Sequence, residues 1–354
     1  MDEKKRILEM LDNGKITVEE AVALLEALGE KRAAESTRAS YKDSKKTDFD
    51  EKFNKTFEDI GKRMNSFTEN LGVYMQNLGK FGDQVISSLS SAFDRGFRDG
   101  RSFRFEENIK GIIKDGSVIR INSNGPVSIQ GIDSDEFSLE LVKMVRSEDE
   151  TKASVIAKEF IDIETTEDKI EINLLDKREL WLEVKINLPR HYQYQVEIQS
   201  INGKLSLLDL DLTSSKLSTI NGRIGIEKCS GDTLALNTIN GGIDASGAFN
   251  LIDYVTHNGS IDCYLQEGNA KVSLKSTNGS LRVRVPIKHS IDYNIEASTG
   301  WGKISVDLPL KEFKINRSGN NFVQAKTISD KEKTEALNIR AFTSNGAITF
   351  LPLS

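Results

Sequence analysis

The chain has few of the residues from which catalytic and metal sites are most often built. Its 354 residues include three histidines and two cysteines. None of the histidines (His191, His257 and His289) has a second metal ligand at a useful spacing. Two cysteines fit a reducing compartment, and no disulfide is expected between Cys229 and Cys263. The sequence therefore predicts no catalytic residue, no metal site and no bound cofactor.

Long apolar runs are also absent, and this limits the classes of protein that remain. No segment approaches the roughly 18 consecutive apolar residues of a membrane-spanning helix. The first residues, Met1-Asp-Glu-Lys-Lys-Arg, lack the apolar core of a signal peptide. The net charge of −6 argues against a nucleic-acid partner. We expect a cytoplasmic protein, free or peripheral to the membrane. The alternative is the cell surface, reached without a recognisable signal peptide.

What the sequence does contain is a Ser/Thr-x-Asn-Gly motif that recurs through its C-terminal half. Successive Asn residues are 19, 19, 18 and 20 positions apart. The pairs are Asn202-Gly203, Asn221-Gly222, Asn240-Gly241, Asn258-Gly259 and Asn278-Gly279. Two residues after each Gly stands an aliphatic residue: Leu205, Ile224, Ile243, Ile261 and Leu281. A fixed period of this length is typical of stacked repeats.

The residues around each motif indicate short strands joined by tight turns. Asn and Gly tolerate positive φ, which tight turns often need. Alternating apolar and polar residues on both sides predict half-buried strands. We therefore predict a mainly β, β-solenoid-like domain with about 19 residues per coil over 106–354, in which the five aliphatic residues form one interior ladder. The alternative is an antiparallel meander of hairpins.

The array has atypical copies at its ends, as terminal repeats often are. Asn122-Ser-Asn-Gly125 resembles a first copy and Thr343-Ser-Asn-Gly346 a last one. Thr299-Gly-Trp-Gly302 is a degenerate copy with Trp301 in the Asn position.

Two stretches lack the motif. Residues 126–199 read as strands, including Ser154 to Glu164, and form either an inserted sheet or longer coils. Residues 311–337 read as a polar loop or excursion before the closing strand.

The first 30 residues predict a helical hairpin. Thr17-x-x-Glu20 is a capping box that begins the second helix. The apolar residues form an association face: Ile7, Leu11, Leu24 and Leu28. So small a hairpin cannot bury a core alone, so we expect it to bind a second copy of the chain or another protein. Residues 31–47 are polar and charged and predict a linker.

Residues 48–105 form an amphipathic segment with an apolar residue every three or four positions, which predicts one or two helices. Its first apolar face comprises Phe49, Phe53, Phe57, Ile60, Met64, Phe67 and Leu71. This face either packs against protein or lies in a membrane interface. Acidic and basic residues are nearly balanced here, so the excess of Lys and Arg that draws helices to anionic lipid is missing.

Taken together, the motifs resemble those of a known family. The Ser/Thr-x-Asn-Gly-x-Ile/Leu repeat resembles the bacterial putative-adhesin β-strand repeat domain. The opening Glu3-Lys-Lys-Arg-Ile-Leu to Leu24-Leu-Glu-Ala-Leu28 resembles the short helical domain that precedes it in YvlB/LiaX-like envelope-stress proteins. The resemblance implies a non-enzymatic role in cell-envelope stress and supplies no catalytic residue.

Two functions of different class follow. The first is a non-enzymatic envelope-stress protein, with a β-repeat scaffold and a helical N-terminus that binds a membrane surface, an antimicrobial peptide or a regulatory partner. The second is a carbohydrate-binding or carbohydrate-active β-helix. An aligned row of aromatic or carboxylate side chains along one face would favour the second. Trp301, Tyr254, Tyr264 and Tyr293 do not form such a row by spacing, which favours the first.

Overall fold

The structure is a computed structural model that describes residues 101–175, 180–267, 270–310, 313–317, 321–327 and 335–353. The predicted hairpin with its association face and the linker lie outside these residues. So does the apolar face from Phe49 to Leu71, which we call the Phe-rich face. Residues 102–105 were expected in the amphipathic segment, but they belong to the first strand. Phe103 and Phe105 alternate with exposed polar residues there, which is the period of a strand.

The described chain is mainly β, with 21 strands and one helix. The helix is α1 (Glu150–Glu159). In chain order, the strands are β1 (Ser102–Ile112), β2 (Val118–Asn122), β3 (Val127–Ile132), β4 (Glu136–Arg146), β5 (Ile161–Thr165), β6 (Lys169–Leu174), β7 (Leu180–Pro189), β8 (Gln193–Ser200), β9 (Leu205–Leu208), β10 (Asp211–Thr219), β11 (Ile224–Thr238), β12 (Ile243–Thr256), β13 (Ile261–Leu265), β14 (Ala270–Ser276), β15 (Leu281–Val285), β16 (Ile291–Trp301), β17 (Ile304–Val306), β18 (Phe313–Arg317), β19 (Phe322–Thr327), β20 (Glu335–Asn345) and β21 (Ile348–Pro352).

The strands pair into two ladders that share the long strands β11 and β12. Strands that precede a turn motif form most of the first ladder, in the order β5-β6-β2-β8-β10-β11-β12-β14-β20-β16-β19-β18. Strands that follow a motif form most of the second, in the order β1-β4-β7-β3-β9-β11-β12-β13-β15-β21-β17. Antiparallel pairs occur only at the ends of the two ladders among these described strands. Each turn motif therefore connects one ladder to the other.

Repeats next to one another in the stack pair in parallel, one above the next. Ile224 is in register with Leu205 on one side and with Ile243 on the other. Ile243 is in register with Ile261, and Ile261 with Leu281. All five side chains are at most 1% exposed, so the predicted interior ladder is confirmed. The alternative of an antiparallel meander is wrong for these strands.

The helix α1 corrects a predicted strand. Residues 154–164 were expected to be extended, but α1 occupies their first half and only β5 is a strand. The side chain of Asp149 accepts a hydrogen bond from Lys152 N at 2.8 Å, which caps the helix. Ala153 and Ala157, four residues apart, form the buried face that packs toward β1, β4 and β5. Capping and this short apolar stripe favour helix over the strand propensity of the sequence.

Residues 311–337 were expected to be a polar loop or an excursion before the closing strand, and their described parts form an excursion that contains two strands in place of a loop. Here β18 and β19 pair as an antiparallel hairpin that extends the first ladder beyond β16. Val323 and Ala325 of β19 are at most 1% exposed, so the hairpin closes one end of the core. Strand β20 then begins at Glu335 and lies between β14 and β16.

Two tyrosines in similar sequence surroundings fix the chain at the ends of strands. The Tyr194 hydroxyl donates to Pro189 O at 2.8 Å, and the Tyr293 hydroxyl donates to Pro286 O at 2.7 Å. Burial is the main cause that raises the pKa of both phenols, so both remain protonated donors.

Candidate functional site: the turn ridge

Eight turns lie one above the next along one edge of the stack; the first of them is residues 122–126, the predicted first copy, and we call the seven that follow it the turn ridge. From one end to the other it comprises residues 200–204, 219–223, 238–242, 256–260, 276–280, 343–347 and 299–303. Backbone hydrogen bonds join neighbouring turns: Asn221 N donates to Ile201 O at 2.8 Å, and Asn240 N donates to Ile220 O at 2.7 Å. The same bond recurs up to Asn345 N, which donates to Thr277 O at 2.8 Å.

The Asn side chains of the ridge form a continuous ladder of amides. The Nδ2 of each donates to the Oδ1 of the Asn in the turn before it, at 2.8 or 2.9 Å. The ladder contains Asn202, Asn221, Asn240, Asn258, Asn278 and Asn345. An amide carries both donors and acceptors, so each interior Asn can bond to both neighbours. The ladder therefore favours Asn at this position, in addition to any turn preference.

The Ser or Thr hydroxyl of each motif donates a hydrogen bond to the Gly carbonyl of the turn below it. The Thr238 hydroxyl donates to Gly222 O at 2.9 Å, and the Thr256 hydroxyl donates to Gly241 O at 2.8 Å. Ser276, Thr343 and Thr299 repeat the contact with the Gly carbonyls of their own neighbouring turns. A hydroxyl here supplies a partner for a carbonyl that the parallel pairing leaves without a backbone donor.

The Gly of each motif is required because backbones approach closely. A Cβ built on Gly222, Gly241, Gly259 or Gly279 would lie 1.9 Å from the Gly carbonyl oxygen of the turn below. Among the described glycines, positive φ occurs only at Gly116 and Gly231. The expectation that these turns use positive φ is therefore wrong. Each turn redirects the chain between two ladders and does not reverse it into a hairpin.

The two variable positions of each turn, one before the Asn and one after the Gly, determine which side chains the ridge exposes to solvent. At one end, Ile201, Ile220 and Ile239 form a half-buried row beside the amides. At the other end, Trp301 occupies the Asn position beside Asn345 and is 82% exposed. The charged residues within the seven turns are all basic: Lys204, Arg223 and Lys303. The ridge is thus apolar, amide-rich and positive in a chain of net charge −6.

Residues 117–350 match the family described as Toastrack DUF4097. The chain belongs to this family. Residues 2–33 match a second family, the SHOCT-like domain. No curated protein matches the chain.

Several solved structures are similar to the Toastrack domain at low identity. A putative cell adhesion protein from Clostridium sporogenes is 14% identical, with 70% of this chain and 100% of that chain covered and a TM-score of 0.35. A putative adhesin from Parabacteroides distasonis is 11% identical, with 71% and 98% covered and a TM-score of 0.37. A putative lipid binding protein from the same species is 12% identical, with 70% and 96% covered and a TM-score of 0.33. Similarity at this level supports no conclusion about function.

The outer face of the second ladder carries side-chain pairs across neighbouring strands of the Toastrack domain. Arg282 Nη1 donates to Asp262 Oδ1 at 2.8 Å. The Arg284 guanidinium carbon lies 4.6 Å from the centroid of the Tyr264 ring. Pairs of this kind stabilise a sheet by about 0.2–1 kcal/mol each. These contacts give Arg282 and Arg284 a structural role in the sheet.

Both cysteines are small side chains within the hydrophobic core. Cys229 and Cys263 are both free and buried. Burial raises the pKa of Cys229 to about 11, and it also raises the pKa of Cys263. Both thiols therefore stay protonated and unreactive in the folded protein.

The histidines stand apart from one another. His257 is exposed on the turn ridge, and His191 Nε2 lies 3.8 Å from Asp135 Oδ1. Within the part of the chain that the structure describes, no group of three His, Cys, Asp or Glu side chains could hold a metal ion. Nor does any described helix have the length and apolar character needed to cross a bilayer.

Sequence reasoning missed two features of the site. The roles of the Ser/Thr hydroxyl and of the Gly depend on a neighbour one coil away, which no local pattern displays. The exposure of Trp301 could have been inferred, because an indole cannot continue a ladder of amides.

Proposed function

We propose that this Toastrack protein is a non-enzymatic component of the cell-envelope stress response. Its β-repeat domain is a solenoid-like scaffold that presents a binding surface. Its N-terminal residues bind a membrane surface, an antimicrobial peptide or a regulatory partner. No nucleic acid is expected among the partners, given the net charge of −6.

The turn ridge is the observation that carries this proposal. Its Asn, Gly and Ser/Thr groups are used in bonds between turns, so the motif builds a rigid edge. The two variable positions of each turn remain available for contact with a partner. A row of equivalent positions repeated every coil is the surface that stacked-repeat proteins use for binding.

The N-terminal residues supply the second part of the proposal. The association face of Ile7, Leu11, Leu24 and Leu28 is proposed to form homo-oligomers or to bind a regulatory protein. The Phe-rich face that begins at Phe49 is proposed to lie in a membrane interface, since its glycines would weaken a helix that has no surface to form on.

The alternative, a carbohydrate-binding or carbohydrate-active β-helix, has less support. Such a protein would align aromatic or carboxylate side chains along one face. Of the seven turns on the ridge, only the last contributes an aromatic side chain, Trp301. A single indole offers one stacking position and no row.

Cell fractionation tests the proposed location and role. The full chain is expressed with a small epitope tag and probed in cytosol, membrane and medium, before and after exposure to a membrane-active cationic peptide. We expect a membrane-associated fraction that grows on exposure. A protein that stays entirely in the cytosol under both conditions would contradict an envelope role.

Removal of residues 1–30 tests the association face. We expect the β-domain to remain folded by circular dichroism while the assembly size in light scattering falls. The variant Leu24→Asp is the matched point change and should have the same effect. An unchanged assembly size for both variants would exclude self-association through this face.

A peptide of residues 48–100 separates lipid binding from packing on protein. We expect it to be mostly disordered in buffer and to become helical with lipid vesicles, with little dependence on salt because its charges are nearly balanced. If vesicles leave its circular dichroism unchanged while added β-domain induces helix, the segment is a packing element and not a lipid-binding one.

A further inference from the structure

Three aromatic residues that are at least partly exposed lie near the last turn of the ridge. Trp301 is 82% exposed and Phe342 is 48% exposed, while Phe322 is half-buried. Phe342 and Phe322 flank Ser298 on its two sides, one from β20 and one from β19. Trp301 is in register with Asn345, three residues beyond Phe342, so the Cα atoms of Trp301 and Phe342 are about 11 Å apart. We call Trp301, Phe322, Phe342, Lys275 and Lys303 the Trp301 corner.

Folding of the Toastrack domain does not account for these exposed rings. Trp301 stands in the position of a ladder Asn, yet its indole cannot accept an amide hydrogen bond. With most of its surface in water, it also adds little to the core. Neighbouring exposed aromatic side chains of this kind mark a surface that binds something else.

The charges at the corner identify the kind of partner. Lys275 is the register neighbour of Phe342, and Lys303 follows Trp301 by two residues; both are exposed. Two acidic side chains lie near these lysines: Glu296 on β16 is 3.3 Å from the guanidinium of Arg340, and Asp253 on β12, which interacts with Lys275, is buried. The corner is therefore aromatic and basic, whereas the whole chain has an excess of acidic residues.

We propose that the Trp301 corner anchors the protein to an anionic lipid bilayer. This inference rests on the proposed function and deepens it, because it names the partner of one end of the turn ridge. Trp is suited to the head-group layer of a membrane, with its ring among the upper acyl chains and its N–H in the polar region. Lys275 and Lys303 then contact lipid phosphates, and Phe322 and Phe342 enter beside the indole.

Other occupants fit the charges less well. In a symmetric contact between two copies of the chain, each corner would face lysines of the same sign. A cationic peptide would meet the same repulsion. An anionic bilayer satisfies both the basic and the aromatic side chains.

The two tryptophans of the chain allow a direct test. The variant Trp181→Phe in the full chain leaves Trp301 as the sole indole. It is mixed with vesicles of phosphatidylcholine and phosphatidylglycerol in equal parts, or of phosphatidylcholine alone. We expect the Trp301 emission to shift to shorter wavelength and to be quenched by lipids brominated on their acyl chains. Both effects should weaken in phosphatidylcholine alone and at high salt.

Point variants measure the contribution of each group to vesicle partitioning. Trp301→Ser and Phe342→Ser should each weaken it by about tenfold or more. Lys303→Gln should weaken it by about fivefold, the effect of one basic residue near an anionic surface. Val155→Ser is the matched control, because Val155 is also 48% exposed but lies on α1 at the other end of the stack. All four variants should keep the unfolding temperature of the parent.

The possible results separate this inference from the proposed function. If the full chain sediments with vesicles while Trp301 is neither shifted nor quenched, the corner is not the anchor, and membrane binding by another segment stands. If the chain does not sediment with either vesicle, both the corner and the membrane part of the proposed function fail. If Trp301→Ser instead reduces the assembly size in light scattering without lipid, the occupant is a second copy and the inference is overturned.

Discussion

Replacing Gly241 with Ala adds a single methyl group at the most crowded point of the turn ridge. The new Cβ would lie 1.9 Å from Gly222 O, the carbonyl that accepts the Thr238 hydroxyl. A Cβ contact below 3.0 Å forces atoms to move, and here the partner is backbone. The distance between the new Cβ and Gly222 O must therefore grow from 1.9 Å to at least 3.0 Å, which moves the two turns apart by about 1.1 Å.

A shift of that size breaks the bonds that join the two turns. Three of the contacts across this step lie beside the crowded carbonyl: Asn240 N to Ile220 O at 2.7 Å, Asn240 Nδ2 to Asn221 Oδ1 at 2.8 Å, and Thr238 Oγ1 to Gly222 O at 2.9 Å. Each intramolecular hydrogen bond contributes about 1 kcal/mol. Crowding of a packed region adds about 1–3 kcal/mol. We therefore expect Gly241→Ala to lower the free energy of unfolding by about 4–6 kcal/mol.

The same substitution at Gly225 is the matched control. A Cβ there would meet only Lys204 Cε, at 3.9 Å. Because Gly225 lies in β11, Ala should reduce the entropy of the unfolded chain and stabilise the fold by about 0.5–1 kcal/mol. Urea unfolding of the full chain, followed by circular dichroism, measures both variants. Equal unfolding midpoints for Gly241→Ala, Gly225→Ala and the parent would refute the close-approach argument.

Further predictions concern the core, the ladder and two titrating groups. Ile243→Asp should unfold the β-domain, since it buries an unpaired charge; a soluble variant with unchanged thermal unfolding would contradict the fold. Asn240→Ala should cost about 1–2 kcal/mol in urea unfolding, because Asn240 makes two ladder bonds; no change would mean that the ladder adds nothing. With its pKa raised to about 11, Cys229 should react with a thiol reagent only when denaturant is added; prompt reaction of the native protein would contradict its burial. Burial raises the pKa of Asp253, so its contribution is present below about pH 4 and is lost as the pH rises through the folded-state pKa. Asp253→Asn should therefore raise the unfolding temperature at neutral pH but not in acid, and an equal effect at both would contradict this reasoning.

The parts of the fold that follow a local period could be predicted from the sequence. The spacing of Leu205, Ile224 and Ile243 places them at the same point of successive coils, and the register confirms it. Residues 126–199 were also predicted to contain strands, and β4, β6 and β7 lie there. Successive side chains of a strand point to opposite faces, so burial of one face appears in the sequence as alternating apolar and polar residues.

Features that depend on contacts between coils could not be read in the same way. In an isolated turn, tolerance of positive φ explains an Asn-Gly pair. In the stack, Gly is needed because a Cβ would overlap the carbonyl oxygen of the neighbouring turn. The helix α1 contains Val155 and Ile156, which favour strands, but Asp149 and the pair of buried alanines outweigh that preference. In both cases a tertiary contact overrides the local signal.

The order of the coils in space also differs from their order in the chain. The closing strands β20 and β21 pair with β14 and β15 on one side and with β16 and β17 on the other. The last coil is therefore inserted between two coils that come earlier in the sequence, and Asn345 bonds to Asn278 across 67 residues.

The chemistry of the ladder explains this insertion. A copy with a complete Thr-Ser-Asn-Gly motif can continue the row of amides, and the copy that contains Trp301 cannot. The complete copy must therefore lie next to Asn278, and the copy with Trp301 must lie outside it. The degenerate motif thus becomes the end of the ridge, which leaves its indole in solvent and available for a partner.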